Sequence, residues 1–92
     1  MNTAQAWSQL FENWPDIIPR EGLVVTSYQE TIPFKNFMIS GSLLLLERES
    51  PDSQGARKVI LGYDGIVAVK ITSPIEMVRL QVLGFQVSSC PR

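Results

Sequence analysis

Histidine is absent from this sequence and cysteine occurs once. Without imidazole, the commonest general base and the commonest metal ligand are both missing, so no metal centre is expected. Cys90, close to the C-terminus, has no second thiol to pair with and no base to activate it, and reads as an exposed free thiol suited to a reducing, cytoplasmic setting. No Gly-x-Gly-x-x-Gly pattern and no Gly-Lys-Ser/Thr phosphate loop occurs, which removes nucleotide binding by those routes. The longest aliphatic run, Leu43 to Leu46, is far below the ~20 residues that cross a bilayer, and no basic-then-apolar leader opens the chain. Neither a membrane partner nor secretion is expected. Glu47, Glu49, Asp52 and Asp64 fall at strand ends and in loops, where carboxylates are ordinarily solvated rather than paired for acid–base work. These absences lead to the expectation of a non-enzymatic protein with no cofactor.

A field of one sign is also lacking. Eight basic and nine acidic residues leave a net charge of −1, which gives no long-range pull on phosphate backbones or anionic lipid. The composition is 45% hydrophobic and 18% charged, enough apolar surface to offset the entropy of ordering a chain. At 92 residues, one domain spanning 1–92 is expected. A domain this small buries a limited fraction of its surface, and self-association into a homo-oligomer is one way to bury more.

The segment 2–14 carries the clearest helical pattern: Trp7, Leu10, Phe11 and Trp14 recur at i, i+3, i+4 and i+7. Asn2 or Thr3 can cap its start, and Pro15 ends it because the residue before a proline avoids the α region. The aromatic face either lies across the open end of a sheet or, as the second reading, docks on a protein partner through Trp7, Phe11 and Trp14. Residues 15–22, with two prolines and a glycine, form an extended connector.

From 23 to 71 the pattern is β. Leu23–Tyr28 and Ile32–Ile39 read as two strands around a polar turn, with Pro33 marking an edge or a bulge. Ser40-Gly41-Ser42 is a turn, and Leu43–Glu49 reads as a strand buried on both faces at its start, although four leucines also suit a helix. Ser50–Gly55 is the most loop-like stretch and is expected to be poorly ordered. Arg57–Leu61 and Ile66–Ile71 flank Gly62-Tyr63-Asp64-Gly65, the strongest hairpin signal of the chain, where Asp-Gly suggests a tight turn with positive φ. The segment 75–87 fits two templates. Val78, Leu80 and Val82 alternate as a strand would, whereas Ile75, Val78, Val82 and Phe85 fall near one helical face, and Gly84 tips the reading toward a sixth strand or a tail.

The basic residues within the β region are Lys35, Arg48, Arg57, Lys58 and Lys70, with Arg79 beyond it; Tyr28, Phe34, Phe37 and Tyr63 offer aromatic surface. Of these, Lys35, Arg57, Lys58 and Tyr63 are the candidate contacts for RNA or a partner. Phe34 and Phe37 point to opposite faces if their strand is continuous, which leaves at least one of them for the core.

The order of a helix followed by five short strands resembles the Sm-like family of small β-barrels, with its Hfq-like bacterial branch. The run Ile39-Ser-Gly-Ser-Leu-Leu-Leu-Leu-Glu-Arg48 looks like the turn and leucine-rich third strand of that branch, and Gly62-Tyr-Asp-Gly-Ile-Val-Ala-Val69 looks like its tight turn and last strand. The resemblance covers about three-quarters of the chain. It implies a strongly bent, five-stranded, SH3-like antiparallel barrel behind an N-terminal α-helix, assembly into rings, and RNA as a ligand. At the position of the family's RNA-binding Tyr-Lys-His cluster this chain carries Gly62, Tyr63 and Asp64, so a cationic pair is replaced by neutral and acidic residues.

Overall fold

The computed structural model describes residues 2–86, so Cys90 and position 87 of the expected C-terminal strand lie outside the described residues. Helix α1 spans Thr3–Glu12. It starts where it does because Asn2 and Gln5 form a reciprocal cap: the Asn2 side chain accepts the Gln5 amide at 2.8 Å and the Gln5 side chain accepts the Asn2 amide at 3.0 Å. Asn13 closes the other end on the Gln9 carbonyl, and Pro15 follows.

Six strands follow: β1 (Gly22–Thr26), β2 (Thr31–Phe34), β3 (Asn36–Ser40), β4 (Leu43–Glu47), β5 (Lys58–Gly62) and β6 (Ile66–Lys70). They form two three-stranded antiparallel sheets, ordered β2-β1-β6 and β3-β4-β5. The protein is therefore mainly β with an N-terminal helix. The strand expected over Ile32–Ile39 is broken at Lys35, so its first half pairs with β1 and its second half with β4. β5 and β6, at the two ends of this arrangement, do not pair with each other, so the hairpin expected across Gly62–Gly65 does not form: β6 pairs with β1 instead, and the described residues contain no closed barrel.

The break at Lys35 changes the alternation of faces. Ile32 and Phe34 point inward from β2, and Phe37, three residues after Phe34, points inward from β3. Both Phe34 and Phe37 are core residues as a result, where an unbroken strand would have placed them on opposite sides. Pro33 lies on β2, an edge strand in its sheet, where its missing N–H costs no ladder bond.

One expected turn forms and another takes a different shape. The β3–β4 loop has Gly41 at φ 59°, the positive value that a two-residue connection needs at its first position. At Tyr63–Gly65, by contrast, the chain makes a 3-10 turn closed by the Ile66 amide on the Tyr63 carbonyl, and Gly65 does not take a positive φ. The buried Tyr63 side chain draws this turn against the core. The Ser50–Gly55 stretch is organised by one carboxylate: Asp52 accepts the Gln54 amide at 2.9 Å and the Ala56 amide at 2.8 Å, and Gly55 takes φ 87°. Those amides, with Arg48 nearby, hold the Asp52 carboxyl below its usual range.

The expected C-terminal strand is a 3-10 helix, Met77–Leu83, ended by Gly84 in the left-handed region at φ 94°. Gly84 thus acts as a helix stop rather than a strand bulge. Leu80 and Leu83, the half-buried residues, are three apart, which is the repeat of a 3-10 helix and of neither template considered above.

The core joins both sheets to α1. Phe11, Val24, Ile32, Phe34, Phe37, Leu44, Leu46, Tyr63 and Ile66 form one buried cluster, with Trp7 and Trp14 packed against it. Phe11 meets Phe37 edge-on at 4.9 Å and stacks on Trp14 at 5.5 Å, the offset and T-shaped geometries that aromatic rings favour.

Candidate functional site

The connector 13–21 ties the helix to the far end of the sheets. The Trp14 indole donates to the Ile18 carbonyl at 2.9 Å, and Ile18 is buried. Arg20 lays its guanidinium 3.8 Å above the centre of the Phe37 ring, donates from Nε to Asn36 Oδ1 at 3.1 Å and from an Nη to the Phe37 carbonyl at 2.7 Å. The sequence carries no local signal for this clamp, because its partners lie well downstream.

The connector delivers the chain to the end of the β3-β4-β5 sheet, where most of the candidate basic residues gather. The register aligns Asn36, Glu47 and Lys58 in one cross-strand row. The Lys35 amide donates to the Glu47 carbonyl at 2.8 Å and the Arg48 amide to the Arg57 carbonyl at 2.9 Å, so Lys35, Arg48, Arg57 and Lys58 are brought to one margin. Among the described residues the only ion pair joins Arg79 to Glu76 at 3.7 Å, which leaves these four cations without a carboxylate at bonding distance. Glu47 lies among them and Glu49 follows Arg48, so the patch is basic but diluted.

Tyr63 is not part of that group. It follows β5 at the opposite end of the strand, is 2% exposed and packs toward Phe11, so its ring offers no stacking surface. Its hydroxyl has no hydrogen-bond partner within 3.5 Å among the described residues; the neighbouring Ser8 hydroxyl, which donates to Glu12 at 2.9 Å, only partly offsets the cost of its burial. Burial, and next the Glu12 charge, push the Tyr63 hydroxyl above its ordinary value. Around this end, Asn2, Gln5, Ser8, Ser42, Gly62 and Asp64 border a cleft of about 490 Å³. Its lining holds amides, hydroxyls and one carboxylate, and no cation.

The aromatic helix face is turned inward. Phe11 is 2% exposed, and the Trp7 indole donates to the Ile66 carbonyl at 3.1 Å, so the face expected either to cover a sheet or to dock on a partner covers the sheets. Lys70 ends β6, and Tyr28 stands in the β1–β2 turn as a well-exposed ring.

The expectation that the leucine strand is buried on both faces at its start is not met: Leu44 and Leu46 are buried, while Leu43 is 48% exposed. On the outer side of the β3-β4-β5 sheet, Met38, Leu45 and Ile60 stand opposite one another across the three strands, with Leu43 beside them. Met38 is 68% and Ile60 63% exposed. The signal was present in Leu43–Leu46, which is apolar at both parities, but no partner for the second face is found among the described residues.

Among the described residues no three acidic or thiol side chains converge to hold a metal ion, and no helix is long and apolar enough to cross a membrane. No protein-family model, no curated protein and no solved structure matches the chain.

Proposed function

We propose that this chain is a non-enzymatic, cytoplasmic binding or assembly module of the Sm-like kind, a bent small barrel that self-associates through its strand edges and binds RNA weakly. The observation that carries the reading is the strand order. β2 and β3 are one chain bent at Lys35, so the two sheets follow one another as β6-β1-β2 and β3-β4-β5, with α1 over the core. That is the path of a strongly bent five-stranded sheet, and it leaves β5 and β6 as two end strands with ladder groups to offer a neighbour.

RNA contact is assigned to Lys35, Arg48, Arg57 and Lys58 at the margin of the second sheet, by charge alone. With about three phosphates engaged, the logarithm of affinity should fall with the logarithm of salt at a slope of roughly −2. The docking alternative loses support because Phe11 and both indoles are engaged within the molecule.

Light scattering coupled to size exclusion, run with and without a pool of short single-stranded RNA, tests the reading. A mass above that of one chain, raised further by RNA at low salt and not at high salt, is the expected result. A monomer indifferent to RNA would remove both the assembly and the ligand.

A further inference from the structure

The two end strands are protected to different degrees. β6 is blunted: its pairing with β1 shifts register between Val25 and Thr26, and the Ile66 carbonyl is occupied by the Trp7 indole of α1. β5 has no such device. Its pairing with β4 is regular over all five residues, it contains no proline, and no strand or helix among the described residues pairs with its other side.

The direction of its backbone groups follows from the ladder. The bonds from Arg48 to Arg57 and from Tyr63 to Ser42 bracket the β4–β5 pair, and bonding alternates along an antiparallel strand. Residues 57, 59, 61 and 63 therefore bond toward β4; Lys58 and Ile60 turn both their N–H and C=O groups to the open side, and Gly62 turns its N–H there while its carbonyl caps the 3-10 turn. Charge along this edge is graded. Arg57 and Lys58 stand at its start, while Asp64 follows its end and joins Glu30 in lining a second, smaller cleft along Ile60 and Gly62.

We infer that β5 pairs antiparallel with β5 of a second copy, about a two-fold axis through Ile60. The inference rests on the self-association reading above and adds to it the edge and the symmetry. In that register Ile60 meets Ile60 of the second copy and the two exchange a pair of backbone hydrogen bonds, while the Lys58 carbonyl meets the Gly62 amide of the second copy. The Asp64 carboxylate lies against Gly62, so Lys58 faces it across the pair, within reach of a long side chain. Opposite charges meet at both ends by symmetry. Pairing β5 with β6 of a neighbour, the arrangement that would propagate a ring, sets the open groups of Lys58 and Ile60 against those of Val67 and Val69 and brings no opposite charge to Lys58. In the two-fold dimer the outward row Met38, Leu45 and Ile60 continues into its own copy, giving one apolar band across six strands.

The test is the mass of the full chain by sedimentation across a concentration series, for the wild type, for Ile60→Lys, and for Lys58→Glu and Asp64→Lys singly and together. A dimer is expected, with Ile60→Lys raising its dissociation constant at least tenfold. Each single charge change should weaken it and the pair should restore it. Circular dichroism checks that each variant is folded. In the wild type, the amides of Ile60 and Gly62 should exchange with solvent more slowly as protein concentration rises, a readout that needs no substitution. An assembly larger than a dimer, a dimer indifferent to Ile60→Lys, or those two amides exchanging at a rate independent of concentration in an assembled sample would overturn the two-fold pairing while leaving self-association standing. A monomer at all concentrations would overturn both.

Discussion

Helix α1 and the 3-10 helix Met77–Leu83 are both short and both rich in large apolar side chains, yet one is part of the core and the other is not. α1 carries its aromatic residues on a single stripe, is capped at its N-terminus, and has Phe11 in the buried cluster with the Trp7 indole bonded to a carbonyl of β6. The C-terminal helix lines up Met77, Leu80 and Leu83 along one edge but leaves Val78 and Val82 off it, and none of the five is fully buried. Apolar content alone does not place a segment. One-sidedness does, together with partners for the polar atoms carried inward.

This contrast can be tested by truncation. Phe11→Ala removes the ring at the centre of the aromatic cluster and should cost about 3–5 kcal/mol in denaturant unfolding, the usual range for a buried phenylalanine. A loss below about 1 kcal/mol would mean that α1 is peripheral. Tyr63→Phe, where α1 meets the 3-10 turn, should do the opposite: it deletes a buried hydroxyl with no partner among the described residues, and a gain of about 1 kcal/mol is expected.

The same variant has a pH signature. Because the folded protein raises the Tyr63 hydroxyl above its ordinary 10.0, the folded state holds that proton more tightly than the unfolded chain does. Stability is unaffected well below pH 10 and falls as pH rises past it, until the folded group also ionises. Tyr63→Phe should flatten this alkaline loss, and thermal melts between pH 8 and about 11 would show whether it does. At the small end of the scale, Val82→Ser on the C-terminal helix should change stability by less than about 0.5 kcal/mol, as surface substitutions do. A loss near 2 kcal/mol would show the two helices to be equals and end the comparison.

What could be read from the sequence was whatever is set by neighbours a few residues away. The stripe of α1, its start at Asn2 or Thr3, its Pro15 stop and the turn at Ser40–Ser42 all depend on local geometry, and all appear; Pro33, legible as an edge or a bulge, lies on an edge. The bend at Lys35 carries no marker, because no glycine or proline sits there; it follows from which strand each half pairs with. Gly65 looked like a positive-φ turn residue, but the burial of Tyr63 decided the turn. Of the candidate contacts, Lys35, Arg57 and Lys58 could be brought together only by cross-strand register, and Tyr63 was removed from the group by packing. Arg20 was missed for the same reason, since its ring and carbonyl partner, Phe37, is found only once the connector folds back.

The pairing of β1 with β6 joins strands drawn from near the beginning and near the end of the folded region. The β3-β4-β5 meander, in contrast, is built from neighbours in sequence. Closing a long loop costs entropy before its contacts repay it, so the meander is the natural early structure and β1–β6 zipping the late one. The fold should therefore be kinetically gated at β6, with the chain in place as far as Lys70 before the first sheet can finish assembling.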